Sequence, residues 1–137
     1  MTPLLLITHA AFGAELLKAA VVMLGPQPGT MALSLELQDD RKAFAQRVEQ
    51  ARQDLGPPLL MLVDLPGGTP WNVAVSLAAA GLGDEVVSGL SLPLLLEALQ
   101  GREGLGPQAL GERLVSGSSQ GVWRAGAMIG KKDGGQA

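Results

Sequence analysis

Two short apolar runs constrain this chain more than any other feature: Leu4-Leu5-Leu6-Ile7-Thr8 and Leu59-Leu60-Met61-Leu62-Val63. Neither alternates apolar with polar residues, so neither suits a strand with one wet face. Each predicts a strand covered on both faces, as in a parallel sheet sandwiched between helices. The first run closes on His9 and the second on Asp64, and each leads into a helical pattern.

The segments between and beyond them fill in the order of elements. After His9, the positions Leu16, Leu17, Ala20, Val21 and Leu24 recur at helical spacing from Ala11 to Leu24, where Gly25-Pro26 ends the helix. Thr30 to Leu37 alternates loosely and predicts a half-exposed strand near a sheet edge. Asp39 or Asp40 caps a second amphipathic helix carrying Phe44, Val48, Ala51 and Leu55, closed by Gly56-Pro57-Pro58. Past Asp64 comes the turn Leu65-Pro66-Gly67-Gly68. Thr69 is the expected N-cap of a helix running through Val73 and Leu77 to Ala80, with Pro70 at its first position. A strand over Glu85 to Leu90, a Ser91-capped helix over Pro93 to Gln100, a helix near Gln108 to Val115 and a last strand over Gly121 to Ile129 complete the reading.

The order predicts an α/β fold: one doubly wound, mostly parallel sheet of order 2-1-3-4, right-handed crossovers and helices on both faces. A chain of 137 residues suits one domain, expected over residues 1–130 with a polar, glycine-rich tail over 131–137. With 47% hydrophobic and only 17% charged residues, intrinsic disorder is excluded as the general state. Ten basic against thirteen acidic residues give a net charge of −3, so no basic field exists to hold nucleic acid. Zero cysteines exclude disulfides and thiolate sites, and a single histidine excludes a His-rich metal site. The amino terminus lacks a basic signal-peptide start, and no apolar run reaches the roughly eighteen residues of a membrane helix. A cytoplasmic location is the expectation.

In a sheet of this order the first and third strands are neighbours, and ligands bind at the carboxyl ends where the winding reverses. That places His9 beside Asp64, each before a helix amino terminus with unpaired N–H groups. A carboxylate on one ring nitrogen fixes the imidazole tautomer and leaves the other nitrogen's lone pair as a nucleophile. Gly67, Gly68 and Thr69 could then offer donors to a phosphoryl group. Plainer readings stand beside this one. A lone histidine at a strand end is commonly structural, an aspartate before Pro-Gly-Gly is commonly a turn-former, and the two glycines match no nucleotide-binding motif. Trp71, Trp123 and the run Leu92 to Leu96 read as packing or interface residues.

Three blocks carry a resemblance: Thr8-His9 at the first strand's end, DLPGGTPWN from Asp64 to Asn72, and GLSLPLLLEAL from Gly89 to Leu99. Over about its whole length the chain resembles the mannose-family enzyme IIA domain of the bacterial phosphoenolpyruvate-dependent sugar phosphotransferase system. The resemblance implies a homodimeric phosphocarrier in which His9 takes a phosphoryl group from HPr and passes it to a IIB component. Membrane components IIC and IID would then move the sugar. It further implies that Asp64 orients the ring, that Thr69 lies near the phosphate, and that neither metal nor nucleotide is needed. A carboxy-terminal strand exchanged between subunits is also implied, with Gly121 to Ile129 as the candidate and Trp123 buried across the dimer. Phe12, Leu65, Pro66 and Trp71 would form an apolar rim suited to small, transient docking. The chain departs from the family at Ala10, where glycine is common, and at Pro66, often aromatic; neither removes a reacting group. The phosphotransfer subunit of a dihydroxyacetone kinase is the nearest rival, although its third-strand motif differs. A regulatory module reporting phosphorylation state is another, and the sugar itself is not readable.

Overall fold

An alternation hidden inside the two apolar runs governs the architecture seen in the computed structural model, which describes residues 1–81, 83–117 and 121–129. Strands β1 (Leu4–His9), β2 (Thr30–Leu35), β3 (Leu60–Val63) and β4 (Glu85–Val87) form one sheet in the order β2-β1-β3-β4, with every neighbouring pair parallel. Because successive strand side chains point to opposite faces, Leu4, Leu6, Leu60 and Leu62 pack on one side. There they meet helices α1 (Phe12–Leu24), α4 (Leu92–Gly101) and α5 (Pro107–Ser116), which contribute Ala20, Leu94, Leu95, Ala98, Leu99, Leu110 and Leu114. Leu5, Ile7, Met61 and Val63 pack on the other side. Their partners are Phe44, Val48 and Ala51 of α2 (Arg41–Leu55) and Val73 and Ala74 of α3 (Thr69–Ala80). The fold is thus the expected three-layer α/β sandwich, and the two runs are its central strands.

The edges are less apolar, as the looser sequence pattern foretells: every residue of β2 is half-buried. Two strands are shorter than expected. β2 stops at Leu35 because the backbone N–H of Glu36 donates to Asp39 Oδ2 (2.7 Å), folding residues 36–39 into a turn. β4 stops at Val87 because Gly89, at φ +85, turns the chain away. Asp40 rather than Asp39 caps α2, accepting from the Ala43 N–H at 3.0 Å, and Ser91 caps α4 as expected. Leu94 and Leu95 are buried and Leu92 and Leu96 pack against the same core, so this leucine run is interior.

The expected last strand is corrected. Residues 121–124 have no regular structure and Ala125–Ile129 forms a short helix, α6, with no buried residue. A strand satisfies its backbone only against a neighbour; in this single chain the segment bonds to itself, Ala127 N–H to Arg124 O at 3.0 Å. Val122 and Trp123 stand exposed. The expected tail, 131–137, lies outside the described residues.

Two buried cations lie outside the α1 and α3 starts that flank His9. Arg52 of α2 pairs through Nε with Asp84, whose other oxygen accepts the Leu59 N–H at 2.9 Å, tying α2 to the starts of β3 and β4. Arg102, only 2% exposed, donates to Gly29 O, Gln27 Oε1 and Pro28 O, closing the loop before β2. Burial pushes its pKa below the ordinary arginine value. Carbonyl oxygens take its N–H groups, and the charge of Glu103 opposes the shift.

Candidate functional site

β1 and β3 are adjacent, so their carboxyl ends bring His9 and Asp64 together across 55 residues of sequence. His9 Nδ1 lies 2.9 Å from Asp64 Oδ2, and the same oxygen accepts the His9 backbone N–H, also at 2.9 Å. Asp64 Oδ1 accepts the Leu65 N–H at 3.0 Å. The carboxylate is therefore held from both oxygens and in turn holds both the backbone and the ring of His9. A carboxylate only accepts, so in the neutral ring Nδ1 carries the proton and Nε2 the lone pair.

The His9 ring stands beside Gly68. An ideal Cβ built on Gly68 would sit 3.2 Å from His9 Cε1 and 3.6 Å from Nε2. Glycine at 68 keeps that space open, whereas Gly67, at φ +88, is required by the turn itself. Gly68, in extended conformation, is the N-cap of α3, and Asn72 N–H closes the first turn onto Gly68 O at 2.9 Å. This corrects the expectation for Thr69, which is the first helical residue with Pro70 following it. A helix amino terminus leaves N–H groups unpaired, and that of α3 begins at Gly68, beside the His9 ring. Helix α1 begins at Phe12, a short turn after His9.

The His9 side chain is 48% exposed and the Asp64 side chain 14%, so the imidazole is accessible while the carboxylate beside it is shielded. Phe12, Leu65 and Pro66 are exposed. Trp71 is half-buried and packs against the α2–α3 core. One apolar neighbour escaped the sequence reading: Leu37 is fully exposed on the 36–39 turn, just past Leu35, which pairs with His9. Its signal was a leucine set among Glu36, Gln38 and Asp39. A second omission is Thr8, fully buried, whose hydroxyl accepts the Gly13 N–H at 2.9 Å. Its signal was a polar residue ending an apolar run.

Two roomy clefts lie elsewhere. One of about 490 Å³ runs between α2 and α3, and one of about 580 Å³ lies against Arg102; neither is lined by His9 or Asp64. The histidine stands on an open surface, which suits a macromolecular partner better than an engulfed small molecule. Among the described residues no group of three or more potential metal ligands occurs, and no helix is long and apolar enough to cross a membrane.

Comparison with known proteins agrees with this geometry. Residues 3–115 match the sequence-family model described as the PTS system fructose IIA component. The chain is 30% identical over 114 residues to the fructose-specific EIIA component of the phosphotransferase system of Bacillus subtilis, covering 82% of this chain and 78% of that protein. It is 29% identical over 98 residues to the mannose-specific EIIAB component of Escherichia coli, covering 70% of this chain but only 30% of that longer protein. Among solved structures, the mannose/sorbose-specific IIA subunit from Enterococcus faecalis superposes with a TM-score of 0.81 at 26% identity, covering 90% of this chain and 95% of that one.

Proposed function

The chain belongs to the mannose-type enzyme IIA family of the sugar phosphotransferase system, and from that premise we propose that it is a phosphocarrier whose reacting atom is His9 Nε2. The observation that carries the reading is the Nδ1 to Asp64 Oδ2 contact of 2.9 Å on a His9 side chain that is 48% exposed. The donor is the phosphohistidine of HPr and the acceptor a IIB component, with IIC and IID membrane components acting afterwards on the sugar. The protein works in the cytoplasm as a homodimer. The exposed apolar run of Val122, Trp123, Met128 and Ile129 supports that assembly by leaving a surface that water does not favour.

The step needs little chemistry. The Nε2 lone pair attacks phosphorus in line, a new P–N bond forms, the donor's P–N bond breaks, and its electron pair returns to the donor imidazole. Two bonds of the same kind are exchanged, so positioning and charge stabilisation do the rest. As Nε2 becomes bonded to phosphorus, the His9 ring gains positive charge, which Asp64 Oδ2 answers through Nδ1–H. The phosphoryl oxygens meet the backbone of Gly67, Gly68 and Thr69 and the positive end of α3. Delivery to IIB is the same step reversed. No metal or nucleotide takes part.

Incubation with phosphoenolpyruvate, enzyme I and HPr, followed by intact-protein mass spectrometry away from acid, tests the reading. One phosphoryl adduct on wild type and none on His9→Ala is expected. An adduct on both proteins, or on neither, would overturn it.

A further inference from the structure

We propose that Thr8 is a positioning residue for His9: its buried hydroxyl clamps the turn that holds the imidazole, and Gly13 is glycine so that this clamp fits. The inference rests on the reading of His9 as the phosphoryl acceptor.

Helix α1 lacks an ordinary cap. Its N-cap is Ala11, which has no side-chain acceptor. Thr8 supplies one from outside the helix: Oγ1 accepts the Gly13 N–H at 2.9 Å and donates to Ala10 O at 3.3 Å. The two bonds bracket the residues joining β1 to α1. A hydroxyl this buried is stable only when paired, and here both its donor and its acceptor capacity are used inside one turn.

That turn is under tension. Ala10 has φ +51, a left-handed conformation that a Cβ disfavours. It persists because its neighbours are fixed: Ala10 N–H bonds Leu35 O at 2.8 Å, Ala10 O receives the Thr8 hydroxyl, and His9 N–H bonds Asp64. His9 therefore leaves a rigid strand and enters a turn locked on its far side by Thr8. Asp64 sets the ring's tautomer, and Thr8 sets the backbone from which the ring projects. The fit is close at Gly13, where an added Cβ would meet Thr8 Cγ2 at 3.1 Å, Thr8 Oγ1 at 3.2 Å and Leu6 Cβ at 3.3 Å.

A capping role for fold stability alone is the competing explanation, so the test separates rate from stability. Thr8→Val keeps shape and removes the hydroxyl, Thr8→Ser restores it, and Gly13→Ala pushes the Thr8 side chain aside at a position where alanine favours the helix. Each variant is assayed for phosphoryl acceptance from HPr under saturating conditions and for thermal unfolding. Its unphosphorylated His9 ring is also examined by nitrogen NMR, which reads the tautomer without any transfer reaction. Thr8→Val is expected to lower kcat about tenfold with little change in KM for HPr, and to mix the ring tautomers. Thr8→Ser should recover most of the rate. Gly13→Ala should reproduce the loss with the helix intact, which keeps the test decisive if Thr8→Val does not fold. Folded Thr8→Val or Gly13→Ala protein with wild-type kcat and a single tautomer would overturn the proposal. So would Thr8→Ser as slow as Thr8→Val. If wild type accepts no phosphoryl group, the phosphocarrier reading fails instead, and the tautomer measurement still decides the role of Thr8.

Discussion

Gly68→Ala adds one carbon atom and asks whether space beside Nε2 is what the site needs. The backbone at 68, φ −86 and ψ −179, is extended and accepts alanine without strain. The new Cβ would stand 3.2 Å from His9 Cε1 and 3.6 Å from Nε2. In a near-attack geometry the phosphorus stands about 3–3.5 Å from its nucleophile, so the methyl group and the phosphoryl group compete for one shell. The ring cannot swing clear, because Asp64 Oδ2 holds both Nδ1 and the His9 N–H at 2.9 Å. Displacing the incoming group by about 1 Å costs about a hundredfold in rate, or about 2.7 kcal/mol of activation free energy. Alanine is a poorer N-cap than glycine, which takes about 1 kcal/mol or less from stability. The melting temperature should fall by only about 2–4 °C. Rapid-quench transfer from labelled phospho-HPr would read the rate, and calorimetry the stability. A folded Gly68→Ala protein within about twofold of the wild-type rate would refute the reasoning, because the attacking atom would then not face Gly68.

Other perturbations follow from the same geometry. Asp64→Asn offers one acceptor oxygen where the carboxylate serves His9 N–H, Nδ1–H and Leu65 N–H. Transfer should slow by roughly ten- to a hundredfold while circular dichroism stays native, and an unchanged single-turnover rate would contradict the orienting role. Ala10→Gly relieves the left-handed strain at φ +51, raising stability by roughly 0.5–1 kcal/mol once glycine's extra unfolded-state entropy is counted; urea unfolding with a lower midpoint would refute this. Asp84→Ala leaves the buried Arg52 without its partner and should cost about 3–5 kcal/mol in chemical denaturation. Because that pair lies outside the His9 site, the folded fraction should still accept a phosphoryl group.

The central sheet was legible because Leu4 to Ile7 and Leu59 to Val63 are apolar at every position and too short for a buried helix, which suits a two-sided strand. The pairing of His9 with Asp64 was legible for the same reason: strand order 2-1-3-4 brings two strand ends together, and each end carried one reactive side chain. What escaped the sequence depended on contacts rather than pattern. Thr69 has the chemistry of a cap, yet the extended Gly68 takes that position, and propensity does not distinguish them. The last strand was misread because Gly121 to Ile129 has a strand-like composition but no neighbour within the chain to pair with, and its final residues coil into α6. Thr8 reads as the polar end of an apolar run until Gly13 is seen across the turn. Trp71 suits a docking rim by type, but the rotation of α3 turns it toward the core.

In the proposed phosphocarrier Asp64 occupies Nδ1 and so assigns the reaction to Nε2. The most direct test is NMR of the phosphorylated protein carrying isotope-labelled histidine, reading which ring nitrogen is coupled to phosphorus. Coupling to Nε2, with Nδ1 still protonated against the carboxylate, is the predicted result. Phosphorus on Nδ1 would contradict it, because that nitrogen would have had to leave Asp64 to react.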